Sequence, residues 1–198
     1  EVGHPVIELV RRQFGPLRVS LGTVDVTNQV VSYLRRRLDT GELIDETELD
    51  LPPRELRTTA VWYTITQRAL DDIGLVQADV PGAAHAAEHA AIGLLPLFAV
   101  CDRWDIGGVS TALPPDTGRP TVFVYDGHPG GAGFAERGHA ALREWLGATR
   151  DAIEACECPS GCPSCVQSPK CGNGNEPLDK SGAVALLDVV LSAVGTER

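Results

Sequence analysis

The chain has 198 residues, of which 43% are hydrophobic and 22% are charged, and its formal net charge at pH 7 is −10. Such a chain can bury a full core as one domain, or as one domain with a smaller lobe. The charge excludes a broad nucleic-acid-binding surface, and we see neither an apolar run of membrane-spanning length nor a signal peptide. Since the chain contains no methionine, we expect a processed product or a piece excised from a longer protein.

The first third of the sequence predicts mainly strands. Apolar residues between 6 and 14 are spaced as in a short helix that ends at Gly15-Pro16. The alternating pattern from 17 to 38 predicts a meander of short strands, with turns at Gly22-Thr23 and Thr27-Asn28. A hairpin turn at Thr40-Gly41 and a strand over residues 57–65 complete this β-rich part.

The remainder of the sequence alternates predicted helices with one buried strand. Helices are predicted over residues 66–74, 83–97, 134–147, 149–155 and 178–194, and the strand over 120–125. We therefore predict an α+β fold, in which a short N-terminal β-meander precedes a mixed α/β domain that ends in a four-cysteine zinc site and a helix. Residues 1–75 would form the β-rich lead-in and residues 76–198 the zinc-binding domain, although both could form one continuous unit.

Five of the six cysteines fall between residues 156 and 171, in the segment Cys-Glu-Cys-Pro-Ser-Gly-Cys-Pro-Ser-Cys-Val-Gln-Ser-Pro-Lys-Cys. Four thiolates can close a tetrahedral site, and Zn²⁺ is its usual occupant. Gly161 and the prolines favour the tight turns that this requires. Cys156 and Cys158 are too close for a comfortable disulfide with each other. The pattern thus indicates one structural zinc ion rather than a disulfide knot, an iron–sulfur cluster or redox thiols.

The spacing leaves two ligand sets open. One set consists of Cys156, Cys158, Cys162 and Cys165; the other uses Cys171 in place of one of the first two. The sixth cysteine, Cys101, follows an apolar run and is predicted to be a small buried core residue.

A second candidate site is the segment His85-Ala-Ala-Glu88-His89. Its spacing matches the His-x-x-Glu-His pattern of inverted zinc proteases, and on a helix both imidazoles would face one side. A catalytic metal would need a third ligand, which the sequence does not announce. Histidines that pack or form hydrogen bonds are the commoner outcome, so a zinc hydrolase is only the alternative hypothesis.

Three further segments have plain structural interpretations beside functional ones. The glycine-rich turn at residues 126–133 could present backbone amides to a phosphate, but it matches neither a Walker loop nor a dinucleotide fingerprint. Asp102 and Asp105 flank Arg103 and are predicted to form a local salt-bridge network. The run Arg35-Arg36-Arg37 indicates either a solvated surface or a phosphate contact.

The segment from Cys156 to Lys180 resembles the C-terminal zinc-binding domain of the MrfA-type helicases, which are superfamily 2 DNA helicases linked to repair. Further segments that carry the resemblance are His85–His89 followed by Leu94-Leu-Pro-Leu97, Cys101–Ser110 and Val124–Gly133. Together these segments cover residues 58 to 195, which is most of the chain.

By that resemblance the intact protein would be cytoplasmic and bacterial, and would use ATP to move 3′ to 5′ along single-stranded DNA and unwind duplex. This piece would carry no ATPase residues and would not itself be catalytic. It would hold Zn²⁺, pack against the motor domains of the same polypeptide and help to form the DNA path, without a membrane partner. The family pattern favours Cys156, Cys158, Cys162 and Cys165 as the ligands and leaves Cys171 as a substitute.

Two other functions compete with the accessory-domain hypothesis. One is an independent zinc hydrolase that uses His85, Glu88 and His89. The other is a protein-interaction module that docks on a motor or on repair partners through an apolar face.

Overall fold

In the computed structural model of the protein, residues 2–112 and 118–195 are described, and they form a mixed α/β fold. The strands are β1 (Val2–Phe14), β2 (Leu17–Asn28), β3 (Ser32–Arg36), β4 (Leu43–Glu48), β5 (Arg54–Ile65), β6 (Ile106–Thr111) and β7 (Thr121–Asp126). The helices are α1 (Gln67–Asp71), α2 (Val80–Leu94), α3 (Phe134–Ala140), α4 (Leu142–Ala155) and α5 (Lys180–Gly195). This architecture confirms the predicted fold class.

The main sheet has five strands in the order β1-β2-β5-β7-β6, and every neighbouring pair is antiparallel. The hairpin of β3 and β4 forms a separate two-stranded sheet. Because β5 pairs with β7, the sheet joins residues from both sides of position 75. The division into two regions at that position stays a prediction.

The helix predicted for residues 6–14 is wrong, because these residues belong to the edge strand β1. This strand pairs with β2 along its length, with register shifts between Pro5 and Ile7 and between Glu8 and Val10. Ile7 and Leu9 remain 54% and 67% exposed, so their spacing does not mark a buried helical face. The β-branched residues of the segment suit a strand instead.

The turns predicted at Gly22-Thr23 and Thr27-Asn28 do not divide the chain as expected, since β2 runs unbroken to Asn28. A Cβ atom placed on Gly22 would lie 2.0 Å from the carbonyl oxygen of Ile7. The glycine therefore permits the close approach of the irregular β1 backbone, which is a common role of glycine inside a strand.

Strand β6 and the true break between α3 and α4 were not predicted. A Cβ atom on Gly107 would lie 2.2 Å from the Tyr125 ring, so the glycine that weakens the strand signal is required by packing against β7. The helical break occurs at Ala141 rather than near Gly147, and α4 continues to Ala155. Gly147 has open space at its Cβ position, so it is tolerated within the helix.

The main core lies on one face of the sheet and is centred on α2. The alanines of α2 are almost fully buried, namely Ala83, Ala84, Ala86, Ala87, Ala90 and Ala91. Small side chains allow close packing: the Cβ of Ala83 lies 2.9 Å from where a Cβ on Gly182 of α5 would be. Trp145 of α4 donates its indole N–H to the carbonyl of Ala91 at 2.9 Å. None of the helices in the described ranges has both the length and the apolar character of a membrane span.

The turn after β7 is organised by Asp126, whose side chain is fully buried. Its carboxylate accepts hydrogen bonds from four successive backbone N–H groups, those of Ala132 (2.5 Å), Gly133 (2.9 Å), Phe134 (3.3 Å) and Ala135 (2.8 Å). These are the amides that a phosphate would have bound at the start of α3. The protein's own carboxylate occupies them, so the glycine-rich turn is structural.

We expect Asp126→Ala to lower the free energy of unfolding by about 3 kcal/mol or more, because four amides of a partly buried turn lose a charged acceptor. Chemical denaturation monitored by circular dichroism measures the change. Asp25→Ala is the matched control, since it removes an exposed carboxylate bonded to Arg57 at 2.7 Å and should lower the free energy of unfolding far less. Equal losses in the two variants would contradict the assigned role of Asp126.

Candidate metal centre

Four cysteine sulfurs meet directly after α4. The Sγ atoms of Cys156, Cys158, Cys162 and Cys165 all lie within 4.8 Å of one another. Four of the separations are 3.5 Å (156–162), 3.5 Å (158–165), 3.6 Å (156–158) and 3.8 Å (162–165). A tetrahedron with Zn–S bonds of about 2.3 Å has sulfur–sulfur edges of roughly 3.8 Å. The arrangement therefore fits a single Zn²⁺ ion.

The backbone around the cluster is shaped by two tight turns. Helix α4 ends at Ala155 and the chain becomes extended at Cys156. Gly161 has a φ of +119°, a conformation that L side chains rarely adopt, and it lies over the fully buried Val166. The next turn is closed by the N–H of Cys165, which donates to the carbonyl of Cys162 at 3.0 Å. These turns bring two pairs of thiols from one short segment to a common point.

The surroundings of two of the sulfurs shift their pKa values. A hydrogen bond from the N–H of Ser164 stabilises the thiolate of Cys162 and lowers its pKa to about 7. Burial raises the pKa of Cys165 to about 12, because a thiolate is less stable away from solvent. The N–H of Cys162 donates to that buried sulfur at 3.3 Å. A divalent cation at the centre would favour the thiolate form of all four cysteines.

The side chain of Lys180 anchors this segment to α5. Its ammonium donates to the carbonyls of Cys156 and Cys158, the latter at 2.7 Å. The positive charge therefore lies close to a cluster that would carry a net charge of about −2 with zinc bound. No sequence pattern predicts this contact, because the bonded groups are backbone carbonyls more than 20 positions away.

Cys171 does not join the four-cysteine cluster. Its Sγ lies 3.4 Å from Nε2 of His85, and the candidate ligand atoms of His85, His89 and Cys171 all lie within 4.8 Å of one another. The structure thus assembles the first of the two predicted ligand sets and places the substitute thiol in a separate group. No signal in the sequence linked Cys171 to the histidine pair.

The two histidines share one face of α2, as their spacing predicts, with ring centroids 4.2 Å apart. His89 is nearly buried, and that burial lowers its pKa to about 4, so the ring is neutral at pH 7. Glu88 points elsewhere: its Cγ and Oε1 atoms would lie 2.8 Å from a Cβ on Gly108 of β6. A general base beside the histidine pair, as a hydrolase of this pattern requires, is therefore not provided by Glu88.

The other sequence candidates have local structural partners. Asp102 and Asp105 form a reciprocal capping box, in which each carboxylate accepts a backbone N–H. Oδ1 of Asp105 also lies 3.2 Å from Nε2 of His128. Within the hairpin, Arg35 bonds Asp45, and Arg36 donates to the carbonyl of Gly41 at 3.2 Å. Nε of Arg37 lies 3.9 Å from Oε2 of Glu42. Outside the hairpin, Cys101 is half-buried and packs against the main core.

Comparison with known proteins agrees with a zinc-binding module. Residues 87–166 match the family model described as the MrfA Zn-binding domain, so zinc is the cofactor that this family holds. The chain also resembles the crystal structure of the helicase MrfA bound to DNA, with a TM-score of 0.64 and 26% sequence identity. That match covers 96% of this chain and 24% of the MrfA chain.

Two relatives show how the chain relates to longer and shorter proteins. YprA of Bacillus subtilis, named as an uncharacterized ATP-dependent helicase, is 35% identical over 153 residues, which are 75% of this chain and 20% of YprA. MJ1572.1 of Methanocaldococcus jannaschii, an uncharacterized protein, is 38% identical over 113 residues, which are 54% of this chain and 99% of that protein. This chain thus spans about a fifth of the helicase and nearly all of the short relative, and it belongs to the MrfA zinc-binding domain family.

Proposed function

We propose that this chain is the C-terminal accessory zinc-binding domain of an ATP-dependent DNA helicase. Such a protein would move 3′ to 5′ along DNA and act in DNA repair in the bacterial cytoplasm. The observation that carries the proposal is the closed group of four sulfurs at Cys156, Cys158, Cys162 and Cys165, at the end of the matched domain. The helicase name of YprA and the DNA-bound structure of MrfA support the larger context.

Zinc in this domain has a structural role. Four protein ligands would fill the coordination sphere and leave no open position for a substrate, as in structural rather than catalytic zinc sites. The ion would fix the segment between α4 and α5, which has no regular secondary structure from Cys156 to Asp179. Because the thiolates are brought together only in the folded chain, the free energy of zinc binding contributes to folding.

The β3–β4 hairpin is the surface that we assign to contact with the motor domains. It forms a separate two-stranded sheet. The hairpin and the two residues before it expose a group of large apolar side chains, namely Val30, Val31, Tyr33, Leu34, Leu43 and Ile44. An exposed apolar surface of this kind is typical of an interaction site. The remaining four-fifths of a YprA-like polypeptide would supply the partner.

DNA contact by this domain would depend on the motor rather than on its own charge. The chain carries a net charge of −10, and the arginines of the hairpin bond acidic side chains or carbonyls of the same hairpin. An acidic surface does not attract phosphates by itself. We therefore assign the domain a part in shaping the DNA path and in holding the motor.

The ligand assignment predicts that Cys162→Ser and Cys158→Ser each lose one zinc ion per chain. The loss should lower the free energy of unfolding by roughly 4 kcal/mol when free zinc exceeds Kd a thousandfold. Elemental analysis and thermal melting measure the two effects. Cys101→Ser is the matched control, because this half-buried thiol lies outside both ligand groups and should keep the wild-type zinc content. A Cys162→Ser protein with full zinc content and an unchanged Tm would refute the assignment.

Lys180→Met should weaken zinc binding at the four-cysteine cluster about tenfold, because outer contacts of this kind orient the ligands and offset their charge. Competition with a chromogenic chelator measures the affinity. Lys170→Met provides the comparison: its ammonium donates to the carbonyl of Ile106 at 2.7 Å and should not affect the cluster. An equal decrease in both variants would show a general effect of charge rather than a contact effect.

The charge of the chain predicts weak binding to single-stranded DNA, with a Kd of about 10 µM or weaker at physiological salt. The affinity should fall further as salt rises, since only a few phosphates could be neutralised. Fluorescence anisotropy with a labelled oligonucleotide across a salt series is the measurement. Submicromolar binding that does not respond to salt would contradict the proposed indirect role in the DNA path.

A further inference from the structure

We propose that His85, His89 and Cys171 hold a second zinc ion, separate from the four-cysteine cluster. Its function would be to clamp the loop after the cluster to helix α2. This goes beyond the accessory-domain proposal and does not depend on the helicase context. It also changes the expectation from the sequence, which predicted one zinc ion.

The distances suit a nitrogen–sulfur ligand set. Zinc bonds of about 2.0 Å to nitrogen and 2.3 Å to sulfur give a nitrogen–sulfur separation of roughly 3.5 Å in a tetrahedral site. The observed separation between Nε2 of His85 and Sγ of Cys171 is 3.4 Å. One ring nitrogen of each histidine and the sulfur of Cys171 all lie within 4.8 Å of one another.

The outer hydrogen bonds of both rings are those of metal-bound histidines. Nδ1–H of His85 donates to the carbonyl of Pro177 at 2.9 Å, and Nδ1–H of His89 donates to the carbonyl of Val166 at 2.8 Å. A carbonyl oxygen can only accept, so each Nδ1 carries a proton, and Nε2 is the ring nitrogen that could offer a lone pair to a metal. This pattern fixes the tautomer and the orientation that zinc requires.

The sulfur of Cys171 also accepts a backbone hydrogen bond. The backbone N–H of Asn175 donates to its Sγ at 3.3 Å, the same distance as the N–H to sulfur bond within the four-cysteine cluster. Gly174 and Asn175 adopt φ values of +64° and +65°, and this left-handed bend turns the N–H back toward the sulfur. The Asn175 side chain then accepts the N–H of Ser168 at 2.7 Å, which closes the loop.

The three groups are of the types that bind Zn²⁺. Two imidazole nitrogens and one thiolate would each donate a lone pair to the ion, and the thiol proton would be released to solvent.

The position of the ligands explains the proposed role. His85 and His89 belong to α2 in the core, whereas Cys171 lies in a loop of turns between the cluster and α5. A metal that joins them closes a loop of more than 80 residues and fixes a segment that has little core of its own. Three protein ligands leave the fourth position for water. Glu88 does not point toward this position, so we assign stabilisation rather than hydrolysis.

Zinc stoichiometry tests the proposal. The chain is loaded with excess zinc, freed of unbound metal by gel filtration and analysed for zinc per chain, with folding checked by circular dichroism. We expect two zinc ions in the wild type, and one in each of His85→Ala and Cys171→Ser. The controls His4→Ala, at an exposed position of β1, and Cys101→Ser should retain two. One zinc ion in the wild type, or two in Cys171→Ser, would overturn the proposal.

A second measurement isolates the site from the four-cysteine cluster. Cys162→Ser should still bind one Co²⁺ ion with the visible absorption of a tetrahedral thiolate site, and adding Cys171→Ser should abolish it. If Cys162→Ser does not fold, a cobalt titration of the wild type that ends at one equivalent refutes the second site. Failure of the first zinc assignment would look different, because Cys162→Ser would then keep the wild-type zinc content.

Discussion

The fold brings four cysteine sulfurs so close together that a cation is needed to offset the repulsion between their thiolates. Two unit charges about 4 Å apart repel by roughly 4 kcal/mol at the effective dielectric constant near a protein surface. The sulfurs of Cys156, Cys158, Cys162 and Cys165 lie 3.5 to 3.8 Å apart in four of their pairs, so they could not all ionise without a central ion. The surroundings of the sulfurs also differ, since the N–H of Ser164 lowers the pKa of Cys162 whereas burial raises that of Cys165. Zinc offsets this repulsion, and the four-cysteine cluster with its ion keeps a net negative charge.

The four-cysteine cluster is anchored to the core by hydrogen bonds to its backbone carbonyls. Lys180 is the first residue of α5, and its ammonium donates to the carbonyls of Cys156 and Cys158. The side chain of Asp179 accepts the N–H of Gly182 at 2.8 Å at the start of the same helix. Further along α5, the small residue Gly182 packs against Ala83 of α2. Metal binding, the start of α5 and the packing of α2 are therefore linked by direct contacts. Loss of zinc would loosen the last third of the chain first.

The sequence predicted those features that depend on local chemistry. Cysteine spacing predicted a metal cluster because the candidate ligands are close in sequence, although it left open which four of the five cysteines take part. Helix α2 and strands β5 and β7 have strong local patterns. The sequence-based prediction failed where distant contacts decide. Residues of β1 form a strand because β2 pairs with them, and β6 contains Gly107 because the Tyr125 ring occupies the space of a side chain there. The approach of Cys171 to His85 joins residues 86 positions apart, and no periodicity reports such a contact.

The two groups of candidate ligands are mechanically connected. Val166 directly follows Cys165, its side chain is fully buried beneath Gly161, and its carbonyl accepts the Nδ1–H of His89. A change at the four-cysteine cluster would therefore move the Val166 carbonyl, which sets the tautomer of His89. In turn, a metal held by His89 would restrain the backbone beside Cys165. Occupancy of one site should strengthen the other, because each orders part of the loop that the other needs.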